Sequence, residues 1–150
     1  MKSFTSLLVA FSCFILILLS CKKESVKVDK ETKFNIPFKS SVNEHVALSN
    51  EESQVVVQVK NISDERCANH LDCAHSGLAT VRIELTNTRN ATAESLLYLG
   101  IQGEENKSLD SVTIKLDNKL YLVTLRDVNP HPMMRSEAIQ TAELCVKPKQ

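Results

Sequence analysis

Apolar and polar side chains alternate along most of the chain beyond residue 33, and this period of two limits the fold more than any other feature. The clearest case runs from Ala79 to Thr86, where Ala, Val, Ile and Leu alternate with Thr, Arg, Glu and Thr. Such alternation is typical of a β-strand that buries one face. The same pattern recurs at 34–38, 54–60, 112–116, 121–125 and 142–146. The sequence therefore predicts a chain built mainly of strands.

We predict seven to eight short strands, with turn residues such as Asp117-Asn118 between neighbours. The segment from Ala91 to Leu99 is ambiguous, because its Ala-rich, locally apolar sequence also fits one short helix. A total of 150 residues is the length of a single domain. Strands at this spacing predict an all-β fold, and we expect a single antiparallel β-sandwich.

The N-terminal segment has a different character. Lys2 precedes an apolar run that ends in Leu18-Leu19-Ser20-Cys21. The run is too short to span a bilayer comfortably and fits the apolar region of a signal peptide. Its last four residues closely resemble the bacterial lipobox, in which the cysteine thiol receives diacylglycerol and the cysteine becomes the new N-terminus. The alternatives are an ordinary signal peptide or an N-terminal anchor helix.

The lipobox reading divides the chain into three parts. We predict a lipoprotein signal peptide at residues 1–20, a charged tether at 21–32 that starts from lipidated Cys21, and the β-sandwich domain at 33–150. The protein would then be anchored in the bacterial cell envelope, at the outer membrane and facing the periplasm or the cell surface. Its partners would be the membrane, through the lipid, and an unidentified protein or small molecule.

Composition argues against several classes of function. Eighteen basic and eighteen acidic residues cancel, so the chain has no excess of positive charge for nucleic acid. Three glycines cannot form a phosphate-binding loop of the usual patterns, and no Gly-x-Ser-x-Gly segment occurs. We predict no cofactor, no catalytic residue and a non-catalytic binding or structural module.

Residues 64–73, which we call the cysteine turn, connect two of the clearest strands. The turn contains Cys67 and Cys73. Because disulfides persist in exported proteins, we predict that these two cysteines are bonded to each other. Cys145 is then left over, and the sequence does not assign it a role.

The cysteine turn carries a resemblance to a known family. Asp64-x-Arg66-Cys67, Leu71-x-Cys73 and Gly77 resemble the pattern Asp-x-Arg-Cys-Pro, Cys and Gly of small exported, lipid-anchored bacterial proteins of uncharacterised function. The resemblance implies a secreted β-sandwich and transfers no catalytic residue. This chain has Ala68 at the proline position and contains no tryptophan, an aromatic that the family often has after the second cysteine.

Three motif residues have structural interpretations. We expect Asp64 to form an Asx-type turn, and Arg66 to tie the turn to backbone carbonyls or to Asp64. Gly77 follows the cysteine turn at the family's glycine position, so we expect it to fix backbone geometry rather than to contact a ligand.

The alternative function is a copper- or zinc-binding envelope protein. Histidine, cysteine and methionine are suitable ligands for these metals. The candidates are His70 in the cysteine turn, His75 two residues after it, and His131, Met133 and Met134 in a later Pro-rich loop. Against a metal at the cysteine turn, an oxidised cysteine pair offers no thiolate, and the spacing matches no established metal motif.

Overall fold

The computed structural model describes residues 26–67, 77–102, 105–132 and 138–149. Within these ranges the chain forms ten β-strands and no α-helix. The strands are β1 (Lys30–Lys33), β2 (Phe38–Ser41), β3 (His45–Ser49), β4 (Gln54–Asp64), β5 (Leu78–Asn87), β6 (Thr92–Gln102), β7 (Glu105–Lys107), β8 (Asp110–Leu116), β9 (Lys119–Asn129) and β10 (Thr141–Lys149). The predicted all-β class is confirmed, with more strands than the predicted seven to eight.

Two sheets form the sandwich. The described strands give a six-stranded sheet in the order β1-β3-β4-β5-β6-β7 and a four-stranded sheet in the order β2-β10-β9-β8. Neighbouring strands are antiparallel, except that β1 pairs with β3 in parallel. The ambiguous segment lies largely in β6, which pairs with β5 along its length. Strand pairing therefore outweighs the local helix propensity of this segment.

The core lies between the sheets, as the alternating pattern requires. Side chains at alternate positions of β4, β5, β9 and β10 point inward and are buried. The largest fully buried side chains include Leu48, Ile83, Leu85, Leu97, Leu125 and Leu144. Burying a leucine or isoleucine contributes roughly 1.5–3 kcal/mol, so this layer supplies most of the driving force for folding.

The domain begins earlier in the chain than predicted. Residues 30–32, assigned to the tether, belong to β1 and pair with β3. The segment 34–38 is not one continuous strand, because the chain leaves the six-stranded sheet after Lys33 and enters the other sheet at Phe38. Asn35 adopts a left-handed conformation with φ 66° in this crossing, and Ile36 is 48% exposed. Alternation alone does not distinguish a strand from such a crossing.

Each sheet contains a β-bulge, an extra residue that reverses which side chains face inward. In β4 the register shifts between Val59 and Asn61, so the extra residue is Lys60. In β9 the partners Asp127 and Leu125 lie opposite the consecutive residues Glu143 and Leu144 of β10, which leaves Arg126 as the extra residue. Both bulges lie shortly before the ends of their strands, and they determine the direction in which the side chains described next point.

Candidate functional site

Asp64 and Arg66 form a compact ion pair at the end of β4. Because the bulge reverses the inward face, Asp64 points into the sandwich and its side chain is fully buried. Its Oδ1 accepts hydrogen bonds from the backbone N–H of Arg66 at 3.2 Å and from Nε at 2.8 Å, while Oδ2 accepts one from Nη2 at 2.8 Å. The backbone contact has the form of an Asx turn, and the two side-chain contacts make a bidentate pair.

Arg66 also connects the two sheets. Its Nη2 donates to the backbone carbonyl oxygen of Val128 in β9 at 2.6 Å. Its Nη1 lies 3.9 Å from Oδ1 of Asp127. The guanidinium thus links the end of β4 in one sheet to the end of β9 in the other. These contacts are of the kind that the motif led us to expect for both residues.

Two glycines let three segments approach closely beside this pair. A Cβ atom on Gly77 would stand 1.7 Å from the carbonyl oxygen of Glu65, a separation that no side chain tolerates. Gly100 has φ +115°, and its Cβ would stand 2.6 Å from the carbonyl oxygen of Gly77. The geometry at Gly77 accords with a backbone role, although Gly77 also lies in the wall of the adjoining pocket.

An open pocket of about 410 Å³ lies at this end of the sandwich. Its wall includes the backbone at Gly77 and Gly100, and the apolar side chains of Leu99 and Ile101. The charged and polar side chains around it are Arg66, Lys107, Ser108, Arg126, Asp127 and His131. The pocket combines residues from the cysteine turn, β6, β7 and β9, so it exists only when both sheets are assembled.

Carboxylates outside the pocket wall hold two of its cations. Arg126 Nε donates to Oε1 of Glu143 at 3.2 Å, and the Arg126 side chain remains 47% exposed. Lys107 Nζ lies 3.4 Å from Oδ1 of Asp110, with 34% of its side chain exposed. Both groups are therefore positioned by ion pairs and still accessible from the pocket.

The sequence-predicted ligands are only partly covered by the structure. His131 is described and lines the pocket. Cys21, His70, Cys73 and His75 lie outside the described residues, as do Met133 and Met134. Copper or zinc binding by this set therefore stays a prediction. Within the described ranges, no group of three or more His, Cys, Asp or Glu side chains is arranged to hold a metal ion.

The structure likewise describes only some of the cysteines, Cys67 and Cys145. Cys67 is disulfide-bonded, and its partner lies outside the described residues. The pairing of Cys67 with Cys73 consequently stays a prediction. Cys145 has a free thiol, is partly buried on β10 and pairs across the ladder with Thr124.

The sequence interpretation missed Lys107 and Arg126 as site residues. Arg126 follows an alternating strand, where a charged residue reads as an ordinary solvent-facing position. Its place at the pocket depends on the β9 bulge, which has no signature in the alternation. Lys107 ends the short strand β7, which the pattern did not predict.

The fold and this site define an all-β sandwich with an open pocket at one end, where three cationic side chains and one carboxylate lie beside apolar residues and glycines. Comparison with known protein families, curated proteins and solved structures finds no match to the chain. In the part of the chain that the structure describes, no helix has the length and apolar character needed to cross a bilayer.

Proposed function

We propose that this protein is a lipid-anchored bacterial envelope protein whose β-sandwich serves as a non-catalytic binding module. The observation that carries the binding role is the open pocket that Arg66 and Cys67 line together with the end of β9. Its charged side chains are positioned by ion pairs, and its backbone wall is shaped by close glycine contacts. A site that is already built in this way suits ligand recognition, because little side-chain ordering remains to oppose binding.

The positions of Asp64, Arg66 and Gly77 also support the proposed relationship to the exported family of uncharacterised function. Asp64, Arg66 and Gly77 are separated in sequence by up to thirteen positions, yet they meet around one turn. A motif whose members interlock in this way is better explained by a shared backbone geometry than by chance spacing.

Lipidation of Cys21 would hold the domain close to the bilayer. Eight residues lie between Cys21 and the start of β1 at Lys30, so nine residue-to-residue steps join the two. A fully extended chain of that length spans at most about 30 Å. The lipid contributes about 0.8 kcal/mol per buried methylene, and stable anchoring needs more than one acyl chain. The short tether would therefore keep the domain near the membrane surface, and we propose the outer membrane, on its periplasmic or outer side, as the place of attachment.

The anchor is tested by replacing Cys21 with serine in the full-length chain. We expect the wild-type protein to incorporate labelled palmitate and to fractionate with membranes. Cys21→Ser should lose the label and leave the membrane fraction, because the hydroxyl does not accept the diacylglycerol group. Cys145→Ser is the matched control and should keep both properties. Membrane association and palmitate labelling that survive Cys21→Ser would refute the anchor.

A further inference from the structure

We propose that the pocket lined by Arg66, Cys67 and the end of β9 binds a small organic anion through the carboxylate or phosphate group of that ligand. The anionic group would lie among Arg66, Lys107 and Arg126, and the apolar part of the ligand against Leu99 and Ile101. The proposal rests on the binding role proposed above and names the chemical class of the ligand.

The guanidinium of Arg66 has one nitrogen, Nη1, left to donate to a ligand. Its Nε and Nη2 are occupied by Asp64 and by the Val128 carbonyl oxygen. Its Nη1 makes no hydrogen bond within the described residues, and its nearest charged neighbour is Asp127 Oδ1 at 3.9 Å. Arg66 lines the pocket with 14% of its side chain exposed, and Nη1 is the guanidinium nitrogen that its described hydrogen bonds do not use. It is a fixed, charged donor beside the pocket.

Two further cations are available beside it. Arg126 uses Nε for Glu143, and its two Nη atoms make no hydrogen bond within the described residues. Lys107 is held by a single ion pair to Asp110, with Nζ and Oδ1 3.4 Å apart. An anion in the pocket therefore has three charged side chains available to it without breaking the contacts that hold them in place.

The charges at the wall favour an anion over a metal cation. Three cations and one carboxylate line the pocket, which is an excess of two positive charges when His131 is not counted. The carboxylate belongs to Asp127 and is already engaged, because Oδ1 accepts from the Val128 backbone N–H at 2.8 Å and Oδ2 accepts from Asn129 Nδ2 at 2.5 Å. Asp64, Asp110 and Glu143 partly neutralise Arg66, Lys107 and Arg126 without lining the pocket, so the expected affinity is moderate and dependent on salt.

The size and the apolar wall favour an organic ligand. A volume of about 410 Å³ falls within the range of about 300–1,000 Å³ that is usual for small-molecule sites. Leu99 is nearly fully buried, while Ile101 is 37% exposed and offers apolar surface to a ligand. Inorganic phosphate would fill only the charged part of the pocket.

The test is calorimetric titration of the full-length protein in a non-ionic detergent. The probes are butyrate, monobutyl phosphate and inorganic phosphate, with tetramethylammonium as the cationic comparison. We expect one or both organic anions to bind more tightly than inorganic phosphate, and we expect no binding of tetramethylammonium. The two organic probes distinguish a carboxylate ligand from a phosphate ligand. Failure of both to bind at 10 mM, or equal binding of tetramethylammonium, would overturn the proposal.

Variants locate the binding site. Lys107→Gln and Arg126→Gln should each weaken binding about tenfold, the effect of losing one charge-assisted hydrogen bond. Arg89→Gln is the matched control, because Arg89 is an exposed arginine paired with Asp117 at the opposite end of the sandwich. It should bind as the wild type does. Equal losses in Arg126→Gln and Arg89→Gln would show a non-specific charge effect and refute the site.

The palmitate-labelling and titration experiments distinguish failure of the anion site from failure of the lipid anchor. A protein that takes up palmitate at Cys21 but binds neither organic anion would refute the anion site and leave the lipid anchor standing. A protein that binds the anions but is not lipidated would support the anion site and refute the lipid anchor. Circular dichroism of each variant shows whether the β-fold is retained. A loss of binding is interpreted only for variants that are folded.

Discussion

Asp64 holds together the pocket end of the sandwich through its buried ion pair with Arg66. Its carboxylate is fully buried and its charge is balanced by Arg66, whose side chain is itself only 14% exposed. Removing one partner of a buried ion pair leaves the other charge uncompensated in a medium of low dielectric constant. The same guanidinium holds the Val128 carbonyl oxygen, so loss of the pair also loosens the contact between sheets.

Asp64→Asn should therefore destabilise the protein by roughly 3 kcal/mol, because the amide keeps the shape of the side chain but removes its charge. The measurement is urea unfolding at neutral pH, followed by far-ultraviolet circular dichroism. Asp117→Asn is the matched control, since Asp117 pairs with the exposed Arg89 and asparagine tolerates its left-handed φ of 53°. We expect it to lose at most about 1 kcal/mol. Equal losses in the two variants would contradict the role assigned to Asp64.

At the scale of elements, β1 is the strand that sequence analysis assigned to a tether. Polar contacts fix it to the turn between β2 and β3. Asp29 Oδ2 accepts a hydrogen bond from the backbone N–H of His45 at 3.0 Å, and this bond chiefly holds the pKa of Asp29 below its usual value. Lys30 Nζ forms an ion pair with Oε1 of Glu44 at 3.0 Å. A short parallel edge strand is thus held largely by polar groups rather than by core packing.

Glu44 makes the attachment of β1 sensitive to acid. Burial tends to raise the pKa of Glu44, but the hydrogen bond from the Ser41 backbone N–H and the charge of Lys30 outweigh it and leave that pKa lowered. A carboxyl whose pKa is lowered by folding contributes stability above its unfolded-state pKa. That contribution disappears as the pH falls through the folded-state value.

Glu44→Gln should consequently lower the melting temperature at pH 7, with a loss of about 1 kcal/mol, and this difference from the wild type should vanish in strong acid. The measurement is thermal unfolding between pH 7 and pH 2. Glu31→Gln is the control, because Glu31 is exposed on the same strand and its side chain makes no hydrogen bond or ion pair within the described ranges of the chain. A difference between Glu44→Gln and the wild type that persists at pH 2 would contradict this account.

For the whole molecule, the main feature is that each end of the sandwich is tied by its own set of contacts. At the pocket end Arg66 reaches from one sheet to Val128 in the other. At the opposite end Arg89 and Asn87 donate to Asp117 in the turn between β8 and β9. Strand β5 runs between the two sets of contacts. Ala79, the ladder partner of Asp64, marks one end, and Asn87 marks the other. Eight residues of strand span about 27 Å.

Because the two ends share no partner, their contributions to stability should add. The double variant Asp64→Asn/Asp117→Asn should lose the sum of the two single losses to within about 0.5 kcal/mol. Urea unfolding of the four proteins of the cycle measures this. A coupling well above that value would mean that the sheets transmit strain from one end to the other.

The alternating sequence by itself determined the strands of the core and the sandwich they form. Val81, Ile83 and Leu85 are buried as their spacing predicts, and Asp117-Asn118 forms the expected turn between β8 and β9. These features are local, because a period of two needs only a strand and one buried face. The strand β3 was missed, since its apolar residues are consecutive and Val46, Ala47 and Leu48 are all buried.

Only the tertiary structure decided what the pocket is made of. Counting by twos from Val59 would turn Asp64 toward solvent, but the bulge at Lys60 turns it into the interior, where it holds Arg66. A second bulge makes Arg126 the extra residue of β9 beside the pocket. A bulge is a mismatch between two paired strands, so it depends on the partner's register as well as on the strand's own residues. The sequence therefore indicates which residues alternate, and the pairing of strands decides which way they face.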